Sequence, residues 1–284
     1  MKEIKHNLRL QDCVSGMTEL EDNSIDLILS GPPYFDHVIY SNENENLSTK
    51  KPDEFYDGMT KLWQNSERKL KEKGIIAIWL HDVYKKEDGY FTLHPLHAKI
   101  LETFSPNLKL RNIIVWDRYA NRTQELPPEE TFGTRFQYIL IYSKGATNYE
   151  ETLKKLYWQP IWKHKTYPKF LGSKTLYYPI MALGKNPFTR KILNPLFSKT
   201  KKLLVKDKYQ EKEYITTCPE EVAQMLMDNF TRPYDTVCDP FLGSGTTMKV
   251  ASRLNRKCIG FEINKKIKNV ILEKVGPADI DITE

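Results

Sequence analysis

Apolar residues along the chain fall into short runs separated by turn residues. Ser24–Leu29 is apolar and β-branched and stops at Gly31-Pro32-Pro33, which predicts a strand closed by a turn. Gly74–Leu80, Ile113–Trp116 and Phe136–Tyr142 have the same continuous apolar character, expected of strands buried on both faces. Phe55–Leu70 instead puts Phe55, Met59, Leu62 and Trp63 at helical spacing. The alternation returns near the C-terminus. A helix is expected over Pro219–Phe230, a strand over Tyr234–Cys238, a turn over Asp239–Thr247 leading into a helix through Leu254, and a strand over Lys257–Phe261 that ends at Glu262. Strands alternating with helices predict an α/β fold with a parallel or mixed sheet covered on both faces.

Between these regions the pattern is lost. From Ser143 to Glu213 the chain is rich in proline, lysine and aromatic residues, among them Trp158, Trp162, Tyr167, Tyr177, Tyr178, Phe188 and Phe197. That is too aromatic for simple disorder. The expected organisation is therefore an α/β half over residues 1–142, an inserted basic and aromatic region over 143–213, and a second α/β half over 214–284. Charge sharpens the division. The formal net charge is +6, yet residues 143–213 carry 16 Lys/Arg against 5 Asp/Glu, a net of +11, and the rest of the chain sums to −5. A basic segment beside a near-neutral body suggests contact with a polyanion, although a solvated lysine-rich surface gives the same count.

A chain of 284 residues, 40% apolar, has material for one large domain with an insertion. Ile75–Leu80 is far too short to span a bilayer, and the polar Met1–Gln11 lacks the apolar core of a signal peptide, so a cytoplasmic location without a membrane partner is expected. Cys13, Cys218, Cys238 and Cys258 are widely spaced and the six histidines show no ligand spacing, which argues against a metal and against a disulfide framework. His81 and His94 read as surface or helix-end residues.

The most specific chemistry lies at Asp239-Pro240-Phe241-Leu242-Gly243-Ser244-Gly245-Thr246-Thr247, between a strand and a helix. Glycines there allow a ligand close to the backbone, and the helix that follows offers free N–H groups. Glu262, at the end of the next strand, is placed to accept the ribose hydroxyls of an adenosine group. A nicotinamide fingerprint fails because Met248 stands at the third glycine position, and a P-loop fails for want of Gly-Lys-Ser/Thr.

This loop, together with Ser30-Gly31-Pro32-Pro33-Tyr34, resembles the DNA amino-methyltransferases that act on adenine N6 or cytosine N4. Their cofactor motif is Asp-Pro-Phe-x-Gly-x-Gly-Thr and their catalytic motif is Asp/Asn/Ser-Pro-Pro-Tyr/Phe. The lead-in from Asp12-Cys13 through Asp22 to Leu29 is similar to theirs as well, and the order of catalytic loop, variable region and cofactor loop is the permuted order of the family's beta group. The resemblance implies a circularly permuted, Rossmann-like methyltransferase sheet and S-adenosylmethionine as cofactor. It places the cofactor at Asp12, Cys13, Asp239, Pro240, Phe241, Gly243, Ser244, Gly245, Thr246 and Glu262, with Asp12 meeting the adenine amino group. It also implies catalysis at Ser30, Gly31, Pro32, Pro33 and Tyr34 on a flipped base. Double-stranded DNA is the implied partner, recognised by the 143–213 region, where Gln159, Asn186 and Arg190 are candidates for base contacts. A cognate restriction endonuclease and a homodimer are compatible with the resemblance.

Two departures stand out. Gly31 has no side-chain acceptor where the family has Asp, Asn or Ser, so Ser30 or Asp36 substitutes, or transfer is reduced or lost and a cofactor-holding, nucleic-acid-binding protein remains. Cys218 stands where the family often has lysine before proline, and a packed thiol is the expectation. The small, uncharged Ser30-Gly31 pair is more similar to the cytosine-N4 type than to the adenine-N6 type; RNA or a protein amide is the other substrate reading.

Overall fold

In the computed structural model the described residues are 4–33, 46–80, 83–85, 89–91, 93–118, 136–145, 161–164 and 218–284. The apolar run after Ser24 forms β2 (Ile25–Ser30), in which Ile25, Leu27, Ile28 and Leu29 are at most 2% exposed because both faces of the strand are covered. It is joined by β1 (His6–Arg9), β3 (Leu70–Leu80), β6 (Leu108–Arg118), β7 (Phe136–Lys144), β8 (Ile161–His164), β9 (Thr236–Asp239), β10 (Lys257–Phe261) and β11 (Ile280–Thr283) in a nine-stranded sheet of order β11-β1-β10-β9-β2-β3-β7-β6-β8. Neighbours are parallel except at β7, which runs antiparallel to both β3 and β6. Strands β4 (Val83–Lys85) and β5 (Gly89–Phe91) form a separate antiparallel pair.

Helices among the described residues are α1 (Cys13–Gly16), α2 (Pro52–Lys69), α3 (Leu93–Phe104), α4 (Glu220–Phe230), α5 (Thr246–Arg253) and α6 (Lys268–Val275). The face of α2 expected to be apolar is buried through Phe55, Met59, Leu62 and Trp63. Trp63 Nε1 donates to His97 Nδ1 of α3 at 3.1 Å, which joins the two helices within the core. Burial keeps the His97 imidazole neutral, its pKa pushed down to about 3.

The connections create the place for a site. Chain leaving β2 passes through α2 to β3 on one side, whereas chain leaving β9 passes through α5 to β10 on the other. Adjacent parallel strands whose continuations diverge leave a crevice at their carboxyl ends, where α/β sheets bind ligands. Asp26 fixes this pair at its opposite end, accepting from Thr236 N of β9 at 2.9 Å and from Lys71 Nζ of β3 at 2.8 Å.

Two elements differ from the expectation. The polar N-terminus supplies β1, an inner strand with Leu8 fully buried and His6 1% exposed. Its polar residues are accommodated individually: His6 Nδ1 accepts from Cys258 N at 3.1 Å, and Arg9 pairs with Glu19 at 2.7 Å and lies over the Phe261 ring. Within the 143–213 stretch, residues 161–164 join the main sheet as β8, parallel to β6. The chain divides into two compact units, residues 1–166 with 216–284, and residues 167–215; the second lies outside the described residues, as do Asn186 and Arg190, and so does Gln159 of the first.

Candidate active site

The cofactor-loop motif leaves β9 at Asp239, a buried carboxyl at the switch point. Its Oδ1 accepts from Phe241 N at 3.0 Å and its Oδ2 from the Thr247 hydroxyl at 2.6 Å, so both ends of the loop are tied to one side chain. Burial pushes the Asp239 pKa up to about 6, opposed by the hydrogen bonds from Thr247 and Phe241 N and by the nearby Ser30 hydroxyl. Gly245 occupies the N-cap of α5 at φ +84°, a left-handed conformation that glycine adopts without strain. A Cβ there would also come within 3.1 Å of Ile271 on α6.

Glu262 follows β10 and is 9% exposed. Gly243 N donates to Oε2 at 2.9 Å and Asn264 N to Oε1 at 2.8 Å. Each oxygen keeps a second lone pair for another donor. Burial raises its pKa to about 7; the backbone donors at Asn264 and Gly243 oppose this, and Asp239 adds to it. Asp12 lies past the end of β1, on the same rim, since Glu262 N donates to Arg9 O at 3.0 Å. It caps α1, accepting from Ser15 N at 2.8 Å and from the Ser15 hydroxyl at 2.9 Å, and Cys13 beside it is buried.

The catalytic-loop motif leaves β2 on the neighbouring strand. Ser30 is 2% exposed; its hydroxyl faces Asp239 without a well-formed hydrogen bond. Pro32 and Pro33 are buried, and Tyr34 and Asp36 lie outside the described residues. Both loops open on one cleft, where Ser30 and Gly31 meet Asp239, Phe241, Ser244 and Thr246. Residues 30–31 and 239–246 are thus brought together by the adjacency of β2 and β9.

Trp79 and Cys218 also line the cleft. The Cys218 thiol, expected to be packed, sits at the site and is neutral, its pKa pushed up by burial and by Asp239. Trp79, 6% exposed on β3, carries no motif signal. Its Nε1 donates to Gln137 Oε1 of β7 at 2.6 Å, and a Cβ on Gly31 would lie 3.0 Å from its Cε3. Thr247, Asn264 and Lys274 are further participants. Thr247 is within reach of motif reading, whereas Lys274 comes from a helix with no distinctive pattern. Among the described residues no group of three or more His, Cys, Asp or Glu is placed to hold a metal ion, and no helix is long and apolar enough to cross a membrane.

Solved structures with this architecture include a putative DNA modification methylase from Thermus thermophilus complexed with S-adenosyl-L-methionine, with a TM-score of 0.63 and 18% identity over 98% of this chain and 100% of that one. PvuII DNA methyltransferase (cytosine-N4-specific) matches with a TM-score of 0.62 and 16% identity over 99% of this chain and 98% of the other. The sheet with its switch-point cleft is the fold of these methyltransferase structures. More particularly, the DNA methylase family matches residues 25–273, and the chain belongs to that family of N6/N4 amino-methyltransferases. Relatives include the Type II methyltransferase M.MjaI of Methanocaldococcus jannaschii, 29% identical over 92% of this chain and 88% of that protein. M.MthZI of Methanothermobacter thermautotrophicus is 24% identical over 92% of this chain and 74% of its own length.

Proposed function

We propose that this enzyme transfers a methyl group to the exocyclic N4 of cytosine in duplex DNA, as the modification half of a restriction–modification pair. The observation that carries the reading is the shared cleft of Ser30-Gly31 and the Asp239–Thr247 loop. The small, uncharged Ser30-Gly31 pair before Pro32 supports cytosine over adenine, and the description of the relatives as Type II methyltransferases supports the restriction context.

Bound S-adenosylmethionine supplies an electrophilic sulfonium methyl. Glu262 holds the ribose hydroxyls through the lone pairs that its backbone donors leave open, and Asp12 meets the adenine amino group. An exocyclic amino nitrogen is a poor nucleophile because its lone pair is conjugated into the ring. Accepting one of its protons at the Pro32 carbonyl localises that lone pair, and the locked φ of proline keeps the acceptor in place. Ser30 serves from the other side, its hydroxyl turned to Asp239 at the base of the cofactor loop. Tyr34 stacks on the base after it leaves the duplex, a contact worth roughly 1–3 kcal/mol. In-line alignment of nitrogen, methyl and sulfur completes the role of the site. Residues 143–213 form the target recognition region, residues 1–142 the catalytic half and 214–284 the cofactor half.

The test is nucleoside mass analysis of unmethylated genomic DNA after incubation with enzyme and S-adenosylmethionine. Formation of 4-methylcytosine is expected. Appearance of 6-methyladenine keeps the enzyme class and overturns the base assignment. Absence of both, with cofactor still bound, overturns DNA methyl transfer by this chain.

A further inference from the structure

The ammonium of Lys274, in the last turn of α6, donates to Ser244 Oγ at 2.8 Å and to Thr246 Oγ1 at 2.6 Å. Both residues are buried and line the cofactor cleft. The helix is seated there by Ile271, fully buried and packed against the bare Cα of Gly245. A hydroxyl has one proton and two lone pairs. When its oxygen accepts from an ammonium, its own proton is left for a different acceptor, and the charge behind it polarises the O–H bond. The two oxygens are 3.5 Å apart, at the limit of a hydrogen bond, so their mutual contact claims neither proton strongly.

Ser244 and Thr246 are therefore set as adjacent donors with a positive charge behind them, which is a receptor for an anion. Among the described residues lining the cleft none is cationic, while Asp239 supplies negative charge. The Lys274 charge is also felt at the Cys218 thiol, which lines the same cleft. The anionic group of S-adenosylmethionine is the carboxylate of its amino-acid part. We propose that Lys274 is a positioning residue that orients and polarises the Ser244 and Thr246 hydroxyls to receive that carboxylate.

The test is equilibrium binding by calorimetry, which is independent of methyl transfer and of the DNA substrate. Two ligands are compared: S-adenosylmethionine, and 5′-methylthioadenosine, which lacks the amino-acid part. Lys274→Met is expected to weaken S-adenosylmethionine about ten- to hundred-fold, the range for hydrogen bonds to a charged group, and to leave methylthioadenosine within about two-fold. Lys274→Arg recovers part of the loss. Ser244→Ala, which keeps the helix contact through Ile271, gives the same selective loss and adds little to Lys274→Met, because the two act as one unit. Equal weakening of both ligands makes Lys274 a clamp on the loop and overturns the proposal, as does unchanged affinity for S-adenosylmethionine. If Lys274→Met does not fold, Ser244→Ala alone decides: selective loss supports the cradle and its absence removes it.

Discussion

Gly31 departs from the family motif, and its surroundings give the departure a physical reason. Trp79 occupies the space beside it, so a side chain at position 31 has to displace an indole that Gln137 holds by a buried hydrogen bond. Gly31→Ser should lose about 1–3 kcal/mol of stability by overpacking, and methyl transfer with it. Combining it with Trp79→Phe, which removes the ring edge in contact, should cost less than the sum of the single changes; thermal unfolding of all three variants measures the coupling. Glu262 yields a prediction in pH. Its pKa is about 7 in the folded protein against an ordinary 4.5, so the folded state holds a proton that the unfolded state has lost. The resulting stabilisation is complete below about 4.5 and disappears as pH rises through about 7. Glu262→Gln should therefore raise the thermal midpoint of the ligand-free protein at pH 8 relative to wild type, with little difference at pH 4. The same change should weaken S-adenosylmethionine, and wild-type affinity should fall as pH drops below about 7, because the proposed ribose contacts favour the ionised carboxylate.

At the scale of elements, α5 and α6 form a unit around the cofactor loop. Gly245 must take a positive φ to start α5 and must lack a Cβ for α6 to dock. Gly245→Ala imposes both costs: on the order of 1–2 kcal/mol of backbone strain, and a contact that pushes Ile271 and with it Lys274 outward. Calorimetric binding should show weakened S-adenosylmethionine, and denaturant unfolding should show a lower midpoint. The α2–α3 pair behaves differently, since it stabilises the core without touching the cleft. Trp63→Phe leaves His97 Nδ1 without its donor, beside an Nε2 that already has no hydrogen-bond partner. A loss of at least about 1–3 kcal/mol is expected in denaturant unfolding, with cofactor affinity retained in the fraction that is folded.

Across the whole molecule, the sheet is a scaffold whose two divergent halves meet at β9 and β2, and the charge is concentrated elsewhere, in residues 143–213. If that region tracks the duplex backbone, log affinity for DNA should fall linearly with log salt at a slope of about −0.9 per phosphate neutralised. Replacing Lys residues of the 201–208 run by Gln should make the slope shallower and leave S-adenosylmethionine binding unchanged. Titrations of labelled duplex at several salt concentrations check this; an unaltered slope removes the run from the DNA contact.

Strands β2, β3, β7 and β10, the helix α2 and the strand–turn–helix around Asp239–Thr247 were legible in sequence because each depends on local chemistry: apolar runs, helical spacing and glycines between a strand and a helix. β1 was not, because its residues are polar and become inner-strand residues only through partners such as Cys258, Glu19 and Phe261, remote in sequence or contributed by another element. The cofactor loop and the proline motif were each visible, and the family resemblance joined them, but not their contact. Asp26 and Thr236, 210 residues apart, are bonded because β2 and β9 lie side by side, and that adjacency is a property of the sheet. Sequence by itself determined the local motifs and the class of chemistry they serve. Only the tertiary structure decided that Trp79 fills the space beside Gly31 and that Lys274 stands behind Ser244 and Thr246, since side chains from separate elements meet only when the whole sheet is assembled.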